Sequence, residues 1–340
     1  NDYTIEGFRR SEAWAKDQRV YFRIEFSKPF YKYLLGYKTT GNSEFLRGKA
    51  AFTFSIEAGE EILVKVSLSS VDRAGARNNM LIEIPHWNFN QTRIEAEQLW
   101  NKELGKIEVN GGTIDQQTIF YTALYHTFIQ PNILNDVDER YLGRDFKIHQ
   151  TDGFNYYTVF SIWDTYRAAH PLYNLVQPQR NIDFIKTFLK QYEHSGQLPM
   201  WELWSNETDC MIGYHAVSVI TDAIAKGNTG FNIPLAVEAC GKNGNLKKFG
   251  IPVFHQKGYL SIEDESESVS KTLEYAYDDW CYLQLLKYQN PNAKSDQTEF
   301  QQFAKKGALG WQNLYNTENS FIQPRKNGGW LTPFEPREVN

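Results

Sequence analysis

The sequence predicts a β-rich region followed by a helical region, which we interpret as part of an antiparallel β-sandwich and part of an α/α toroid. Three strand-like segments lie close together in the first part of the chain. After residue 113 the apolar residues recur at helical spacing, in six segments separated by long polar and aromatic loops. Helices in series with long loops fit a toroid better than a compact bundle, whose loops usually have roughly 2–8 residues.

Residues 1–84 are predicted to form β structure. The strands are expected at residues 19–26, 51–56 and 61–68. The second strand alternates apolar and polar residues throughout, which is typical of a strand with one buried face. Strands at such close spacing favour a sandwich, and we assign residues 1–87 to its C-terminal part.

A helix is predicted over residues 88–107, where Ile94, Leu99 and Leu104 stand among charged residues without Pro or Gly. We interpret residues 88–112 as a helical linker that a Gly-Gly pair ends. The toroid then occupies residues 113–340. Its predicted helices span residues 115–129, 165–176, 182–192, 214–225, 269–286 and 300–314.

Composition excludes several classes of protein. The chain has 340 residues, with 36 Lys and Arg against 41 Asp and Glu, a formal charge of −5. This mild acidity argues against a nucleic-acid partner, and no apolar run approaches the roughly 18 residues that a membrane span needs. Three cysteines are too few and too scattered for a disulfide framework or a zinc knuckle.

Aromatic residues give the strongest compositional signal. They make up 15% of the chain, with 9 Trp, 20 Tyr and 22 Phe. A surplus of Trp and Tyr often lines clefts for flat, amphipathic ligands such as sugars or bases, and the acidity favours sugars. The chain begins without Met and without a signal peptide, so we expect a processed or excerpted piece of a longer protein.

The densest polar and aromatic group lies within residues 156–167 and ends in Trp163, Asp164 and Arg167. Asp164 is expected near a helix N-terminus, where it either caps the helix or accepts hydrogen bonds from sugar hydroxyls. Trp163 or Tyr166 would then lie beside the sugar. Arg167 follows one turn later and either pairs with Asp164 or positions it.

A second group lies just before and at the start of the predicted helix at residues 214–225. It contains Trp201, Glu202, Asn206, Glu207 and His215. Such density on a loop indicates binding, because loops on a rigid scaffold collect functional residues. Trp201 is either a sugar platform or a side chain packed under the loop. His215 is either a functional group or a buried histidine of the core.

Glu274 and Asp278 lie four residues apart on one helical face. Paired carboxylates can serve as the acid and base of a glycosidase, whereas the neighbouring tyrosines indicate a hydrogen-bond network between helices. The sequence has no P-loop, GxGxxG, HExxH or CxxC motif.

Taken together, these segments resemble family 92 of the glycoside hydrolases, the calcium-dependent exo-α-mannosidases. The resemblance covers nearly the whole chain and depends on motifs in one order. They are Gly75-Ala-Arg77-Asn with Glu83, Phe120-Tyr-Thr-Ala-Leu-Tyr-His126, Tyr157 through Arg167 with Pro171-Leu, Leu198-Pro-Met-Trp201, Asn206-Glu-Thr with Met211-Ile-Gly-Tyr-His215, Asp222-Ala with Lys226-Gly, Val269 through Trp280, and Gly329-Trp330 with Pro333-Phe.

The resemblance implies an N-terminal β-sandwich and an (α/α)6 barrel, here both in part. It implies calcium-assisted inverting hydrolysis of terminal α-linked mannose in mannosides and N-glycans, outside the cell or in the periplasm. The general acid, the general base and the main calcium ligands are expected beyond Asn340, so the catalytic residues are not assigned and no metal ligand is assigned in this chain.

On this resemblance the chain keeps part of the wall that holds the terminal mannose. The candidate substrate-binding residues are Asp164, Trp201, Trp163, Arg167, Glu202, Asn206, Glu207 and His215. Two alternatives stay open at this point. One is another (α/α)6 glycosidase that uses Glu274 or Asp278, and the other is a carbohydrate-binding fragment without turnover.

Overall fold

The computed structural model describes residues 2–39, 46–289, 291 and 304–337. Its N-terminal part is mostly β and the remainder mostly helical, which confirms the predicted order of the two regions. The first five strands are β1 (Thr4–Ser11), β2 (Gln18–Phe26), β3 (Phe30–Thr39), β4 (Leu46–Phe54) and β5 (Val64–Ser69). The strands predicted at 19–26, 51–56 and 61–68 correspond to β2, β4 and β5, while β1 and β3 were not predicted.

The strands form two antiparallel groups. One is a three-stranded sheet in the order β1-β2-β5, and the other is the β3-β4 hairpin. The register places Phe22 opposite Leu68 and Ile24 opposite Val66. These side chains line an open apolar groove with a volume of about 420 Å³. In a β-sandwich this is the face that a second sheet covers, so the predicted sandwich stays a prediction.

The prediction of β structure through residue 84 is wrong, because α1 occupies Arg73–Glu83. Asp72 caps this helix by accepting a hydrogen bond from the Gly75 N–H at 2.6 Å. Ala76 and Met80, four residues apart, are buried on the side of α1 that faces β5. The capping residue and this spacing are visible in the sequence. The segment was nevertheless included in the predicted β region, because it is short and follows closely on a strand.

The helices that follow confirm most of the predicted segments. Their bounds are α2 (Phe89–Leu104), α3 (Ile114–Thr127), α4 (Ile162–Thr165), α5 (Ala169–Val176), α6 (Pro178–Ser195), α7 (Ala216–Ala225), α8 (Ile233–Asn243), α9 (Ile251–Lys257) and α10 (Ser268–Gln289). Helices α8 and α9 were not predicted. The buried side of α8 is made of small residues such as Ala236 and Ala239, and α9 has only 7 residues, so neither shows a strong apolar stripe.

The helix predicted at 165–176 is instead the two short helices α4 and α5. Ala168 between them has φ −134° and ψ −48°, outside the helical region. Pro171 follows in the first turn of α5, where proline is tolerated but where it cannot continue an upstream helix. The helix predicted at 300–314 falls partly outside the described residues; residues 304–307 are helical and a 3₁₀ turn spans Gly310–Asn313.

Short antiparallel strand pairs occupy the long loops between the helices. Their strands are β6 (Asn132–Ile133), β7 (Arg140–Leu142), β8 (Ile148–Gln150), β9 (Tyr157–Thr158), β10 (Phe160–Ser161), β11 (Trp201–Leu203), β12 (Asn206–Glu207), β13 (Tyr315–Asn316), β14 (Phe321–Ile322), β15 (Arg325–Lys326) and β16 (Gly329–Trp330). They are too short to show a period-two pattern, which explains why they were predicted as loops.

The main hydrophobic core lies among α5 to α8 and α10. Helix α7 is at its centre and packs against α5, α6, α8 and α10. Val217, Ile220 and Ala223 of α7 are fully buried, and Phe184 and Phe188 of α6 pack into the same cluster. This core fixes both ends of α7, and the candidate site lies at its N-terminal end. Closure into an (α/α)6 barrel stays a prediction.

A buried polar joint connects α1 to the loop before β7. Asp136 is 1% exposed and accepts hydrogen bonds from the Ser69 hydroxyl at 2.7 Å and the Asn79 amide at 2.8 Å. A Cβ atom on Gly75 would lie 2.1 Å from Oδ2 of Asp136 and 2.7 Å from Oγ of Ser69. Only glycine therefore lets α1 approach this joint.

We expect Gly75→Ala to lower the free energy of unfolding by about 1–3 kcal/mol. A decrease would be informative, because alanine in place of glycine within a helix ordinarily raises the free energy of unfolding by roughly 0.5–1 kcal/mol. The methyl group would displace the Asp136 carboxylate from its two hydrogen bonds. Urea denaturation of the variant and the parent chain measures the change; a variant as stable as the parent would show that the joint is not tight.

Within the described residues, none of the helices is both long enough and apolar enough to cross a membrane.

Candidate functional site

Strand pairing brings the two predicted groups of site residues together. In the register of β10 and β11, Ser161 lies opposite Trp201 and Phe160 lies opposite Glu202. The Ile162 N–H also donates to the Met200 carbonyl at 3.3 Å. The segment that carries Asp164 thus runs beside the strand that carries Trp201, although the two are far apart in sequence.

Asp164 lies in α4 with its side chain exposed. It is not the helix cap as one reading of the sequence proposed, because the N-cap position is Ser161. The Ser161 hydroxyl donates a short hydrogen bond to Oδ2 of Asp164. This bond fixes the carboxylate and leaves Oδ1 without a partner among the hydrogen bonds of the described residues.

Arg167 does not pair with Asp164, and that prediction is wrong. Its guanidinium lies over the ring of Tyr166, 4.9 Å from the ring centroid, and donates to Oε1 of Glu274 at 2.6 Å. The reason is that α4 ends at Thr165, so Asp164 and Arg167 do not share one continuous helical face. Trp163 is half-buried, and its indole N–H has no hydrogen-bond partner among the described residues.

Trp201 contacts an aromatic residue that the sequence analysis did not single out. Trp14, in the loop between β1 and β2, makes an edge-to-face contact with Trp201 at a centroid distance of 5.6 Å. Trp14 is 62% exposed, whereas Trp201 is half-buried. A large indole left exposed beside a second one is typical of a surface that takes a flat ligand. The signal was the isolated Trp between two strands.

The loop that carries Trp14 is docked on the β11-β12 hairpin. The Asn206 amide accepts from the Asp17 N–H at 3.1 Å and donates to the Asp17 carbonyl at 3.3 Å. The indole N–H of Trp204 donates to the Arg19 carbonyl at 2.6 Å. Asn206 is thereby buried by contacts within its own chain, so these contacts favour a structural role, and its predicted sugar contact stays a prediction.

The turn between β11 and β12 has an unusual backbone. Trp204 and Ser205 have φ of 51° and 66°, the left-handed region that a two-residue type I′ turn requires and that glycine or asparagine normally occupies. Val159 and Asp209 also have positive φ, at 68° and 53°. Strained backbone of this kind persists where surrounding contacts fix it, and it clusters at binding and active sites.

Glu202 supplies those contacts. Its fully buried carboxylate accepts hydrogen bonds from the Ser205 N–H, the Val159 N–H and the Thr158 hydroxyl. Burial raises the pKa of Glu202 to about 7, although these donors and nearby Arg144 oppose the increase. The side chain therefore holds two strained segments in place, and its predicted contact with substrate stays a prediction.

Glu207 has a similar arrangement. Its carboxylate accepts from the backbone N–H groups of Met200, Trp201 and Asp209 at 2.8–3.0 Å. Arg144 lies 3.5 Å away as a counter-ion. The carboxylate thus fixes the backbone of Trp201 itself. A sugar contact from Glu207 stays a prediction, but its effect on the position of Trp201 follows from these bonds.

His215 lies immediately before α7, between two carboxylates of α10. Its Nδ1 is 2.7 Å from Oδ1 of Asp278, and its Nε2 is 3.2 Å from Oε2 of Glu274. The ring stacks on Tyr166 at a centroid distance of 3.8 Å. Tyr166 in turn donates to Glu274 at 2.7 Å. These contacts confirm the network between helices that one reading of Glu274 and Asp278 proposed.

The electrostatics of this group depend on burial and on opposite charge. Burial alone would lower the pKa of His215, but Asp278 and Glu274 outweigh it and raise the pKa to about 9. Burial alone would raise the pKa of Glu274, but the hydrogen bonds and charges of His215, Tyr166 and Arg167 hold it below its usual value. Burial raises the pKa of Asp278, and the positive charge of His215 opposes that increase. At neutral pH we therefore assign an imidazolium that pairs with Glu274 and Asp278.

This assignment predicts a pH dependence of stability. Because the pKa of His215 is raised above its ordinary 6.5, the stability it contributes is complete below pH 6.5 and is lost as pH rises through 9. At about 1.4 kcal/mol per pH unit, the free energy of unfolding should fall by about 3 kcal/mol across that window. Denaturant titrations at pH 6.5 and 9.5 measure the fall, which His215→Gln should largely remove. An equal fall in the variant would contradict the assignment.

The described residues around Asp164 and Trp201, which form the candidate sugar-binding surface, do not form a calcium site on their own. Calcium takes six to eight oxygen ligands, mainly carboxylates and carbonyls. Glu202, Glu207 and Glu274 are each occupied by hydrogen bonds or ion pairs within the chain. This leaves Asp164 as the one carboxylate of the surface, among the residues described, with an oxygen available to a ligand.

Comparison with known families gives one clear match. The model described as "Glycosyl hydrolase family 92 catalytic domain" matches residues 75–340. Among curated proteins, one described as "Uncharacterized secreted glycosidase" from Arthroderma benhamiae is 24% identical over 310 residues, which cover 85% of this chain and 35% of the fungal protein.

Two solved structures share the fold over almost the whole chain. The family GH92 α-mannosidase BT3965 from Bacteroides thetaiotaomicron has 38% sequence identity and a TM-score of 0.89, covering 99% of this chain and 46% of that one. It has also been solved in complex with mannoimidazole. The inverting mannosidase BT2199 from the same species has 26% identity and a TM-score of 0.85, covering 98% of this chain and 47% of that one. The chain thus spans less than half the length of these relatives.

Proposed function

This chain belongs to glycosyl hydrolase family 92, and from that premise we propose that it is part of an exo-α-mannosidase and that its exposed residues hold the terminal mannose. The observation that carries the proposal is the position of Asp164. Its exposed carboxylate is anchored by Ser161, which lies opposite Trp201 in the β10-β11 pair. The relatives described as α-mannosidases support the choice of sugar.

The chemistry of the surface suits a pyranose ring. A carboxylate accepts hydrogen bonds from two neighbouring hydroxyls, and such charge-assisted bonds are short and directional. The apolar face of the sugar packs on an indole, for which Trp201 and Trp14 are available. The ring of Trp163 is half-buried and adds apolar surface beside Asp164, although its indole N–H is buried. We assign the direct sugar contacts to Asp164, Trp201, Trp163 and Trp14.

The remaining candidates are assigned to positioning. Arg167 holds Glu274 and stacks on Tyr166, and His215 braces the same group. Glu202, Asn206 and Glu207 fix the hairpin on which Trp201 lies. Because the polar atoms of these five residues contact other residues of the chain, we propose that the five residues set the shape of the sugar-binding wall.

Bond cleavage is proposed to proceed by inversion. Such a reaction needs one protonated carboxyl for the leaving oxygen and a second carboxylate for the attacking water, roughly 6.5–9.5 Å apart. The pKa of Glu274 is held low and its carboxylate is paired with Arg167, which does not suit a general acid. Asp278 is fully buried against His215 and cannot reach a sugar. These contacts argue against the alternative that uses this pair.

Calcium remains part of the proposal through the family resemblance alone. When bound, it would supply positive charge to the mannose hydroxyls. The oxygen atoms of this surface that are available to a ligand are too few for a calcium site. We therefore assign calcium to no step of the reaction. We also propose that the protein acts outside the cell or in the periplasm, which agrees with the fungal relative described as secreted.

The function is tested by incubating the 340-residue chain with α-1,2-linked mannobiose, with calcium and again with a chelator. We expect the disaccharide to bind, as measured by calorimetry, without release of free mannose, because the described carboxyl pairs are committed to internal contacts. Release of mannose would show that an acid and base lie among these carboxylates. Absence of binding by a folded chain would contradict the assigned wall.

A further inference from the structure

A second polar cluster lies apart from the residues assigned to mannose. Asp145 is in the turn between β7 and β8, His149 is on β8, and His194 is in the last turn of α6. Each residue offers one ligand atom, and these three atoms all lie within 4.8 Å of one another. Oδ1 of Asp145 is 2.9 Å from Nε2 of His149. Two imidazoles and a carboxylate therefore lie close together.

The types of donor atom define the class of ion that would fit. Imidazole nitrogen together with one carboxylate oxygen suits Zn²⁺ and its first-row neighbours, whereas calcium prefers oxygen ligands alone. A zinc ion bound by three protein ligands keeps a fourth position for water. The ligand atoms of tetrahedral zinc lie about 3.3 Å apart, from zinc–ligand bonds of about 2.0–2.1 Å. Asp145 and His149 are joined by a hydrogen bond of 2.9 Å, so these two atoms need to separate by only about 0.4 Å to bind one ion.

One ligand has an unsatisfied ring nitrogen. Nδ1 of His194 is buried and has no hydrogen-bond partner in the part of the chain that the structure describes. Buried polar atoms are nearly always paired, so this one needs an explanation, and metal binding is one. The rings of His149 and His194 are stacked, with centroids 4.1 Å apart and planes 22° from parallel. The stacking holds the His194 ring against the His149 ring within the cluster.

The surroundings hold the other two ligands in place. A Cβ atom on Gly143 would lie 2.6 Å from the His149 ring and 2.8 Å from Oδ1 of Asp145, so glycine is required for their close approach. Tyr141 stacks on the His149 ring at 5.7 Å. This contact helps to hold the His149 ring in its orientation. Lys147 competes for Asp145 with a 3.8 Å ion pair, but its side chain is 78% exposed and free to turn away.

We propose that Asp145, His149 and His194 form a transition-metal site, for which Zn²⁺ is the expected ion. Bound metal would tie the β7-β8 hairpin to the C-terminal end of α6. That hairpin supports the sugar-binding wall, since the Ser205 hydroxyl donates to the Leu142 carbonyl at 2.6 Å. The site therefore stabilises the fold near the wall and takes no part in hydrolysis.

The test is a calorimetric titration of the metal-free 340-residue chain with Zn²⁺, repeated with Ca²⁺. We expect one Zn²⁺ per chain, no displacement by calcium, and a higher thermal midpoint with zinc bound. His149→Ala and His194→Ala should each weaken Zn²⁺ binding at least about 100-fold. His126→Ala removes an exposed histidine of α3 and is the matched control, expected to bind as the parent does.

Asp145→Asn provides a further variant at a half-buried position, in case a histidine variant fails to fold. It should weaken binding while the far-ultraviolet circular dichroism stays unchanged. Stoichiometric binding that survives in all three ligand variants would assign the zinc to other groups and overturn the proposal, as would no binding to the folded parent chain. The result does not depend on mannose, so its failure is distinct from failure of the proposed function.

Discussion

Asp164→Ala is expected to weaken binding of a mannose-type ligand by about 10- to 100-fold while leaving thermal unfolding unchanged. The lost interaction is a charge-assisted pair of hydrogen bonds to sugar hydroxyls, worth about 1.5–3 kcal/mol. Stability should not change, because the Asp164 side chain is exposed and its described hydrogen bond is to the exposed part of Ser161. Calorimetric titration with mannoimidazole gives the affinity, and a thermal melt gives the stability.

Asp152→Ala is the matched control for this experiment. Asp152 is also exposed and lies in the loop after β8, where no assigned sugar contact is present. Its substitution should leave the affinity within about twofold, since surface changes away from a site are usually small. If both variants lost affinity equally, general loss of negative charge would explain the result, and the assignment of Asp164 would be wrong.

Asp278→Ala is expected to lower the free energy of unfolding by about 3–5 kcal/mol, the largest change in stability that the described contacts predict. The variant leaves the buried imidazolium of His215 with one counter-ion instead of two and removes the acceptor of the Tyr214 N–H, which lies 2.7 Å from Oδ2. Removing one partner of a buried pair leaves an uncompensated charge in a low-dielectric interior. Urea denaturation followed by circular dichroism measures the loss.

The comparison for this variant is Glu97→Ala. Glu97 is an exposed residue of α2 that pairs with Arg93 at 3.2 Å, and such surface pairs contribute at most about 0.5 kcal/mol. A similar small effect from Asp278→Ala would mean that His215 is neutral in the folded chain. The pH dependence described for His215 would then also be absent.

The order of the two regions and most of the helices could be predicted because their apolar residues are periodic over long segments. Helix α6, with its buried phenylalanines at 184 and 188, is an example. Helix α1 could not be separated from the preceding strand, since its 11 residues follow β5 by only a short cap. The short strands β7 to β12 were missed because two or three residues cannot show a periodic pattern, and because β9 and β10 pair with strands distant in sequence.

The candidate site was predicted in part for a related reason. Density of Trp and acidic residues marked the segments around Asp164 and Trp201, and strand pairing places these segments side by side. The same density could not separate exposed from buried carboxylates, so Glu202 and Asp164 received the same prediction. Trp14 was missed because its contact with Trp201 depends on the docking of the β1-β2 loop through Asn206.

The most direct measurement of the central claim is a fluorescence titration of the 340-residue chain with mannoimidazole, in parallel with the double variant Asp164→Ala/Trp201→Ala. The account predicts a saturable change in tryptophan fluorescence for the parent chain and no saturation for the double variant, with both proteins folded by circular dichroism. Undiminished binding by the double variant, or no binding by the folded parent, would contradict the claim that this surface holds the terminal mannose.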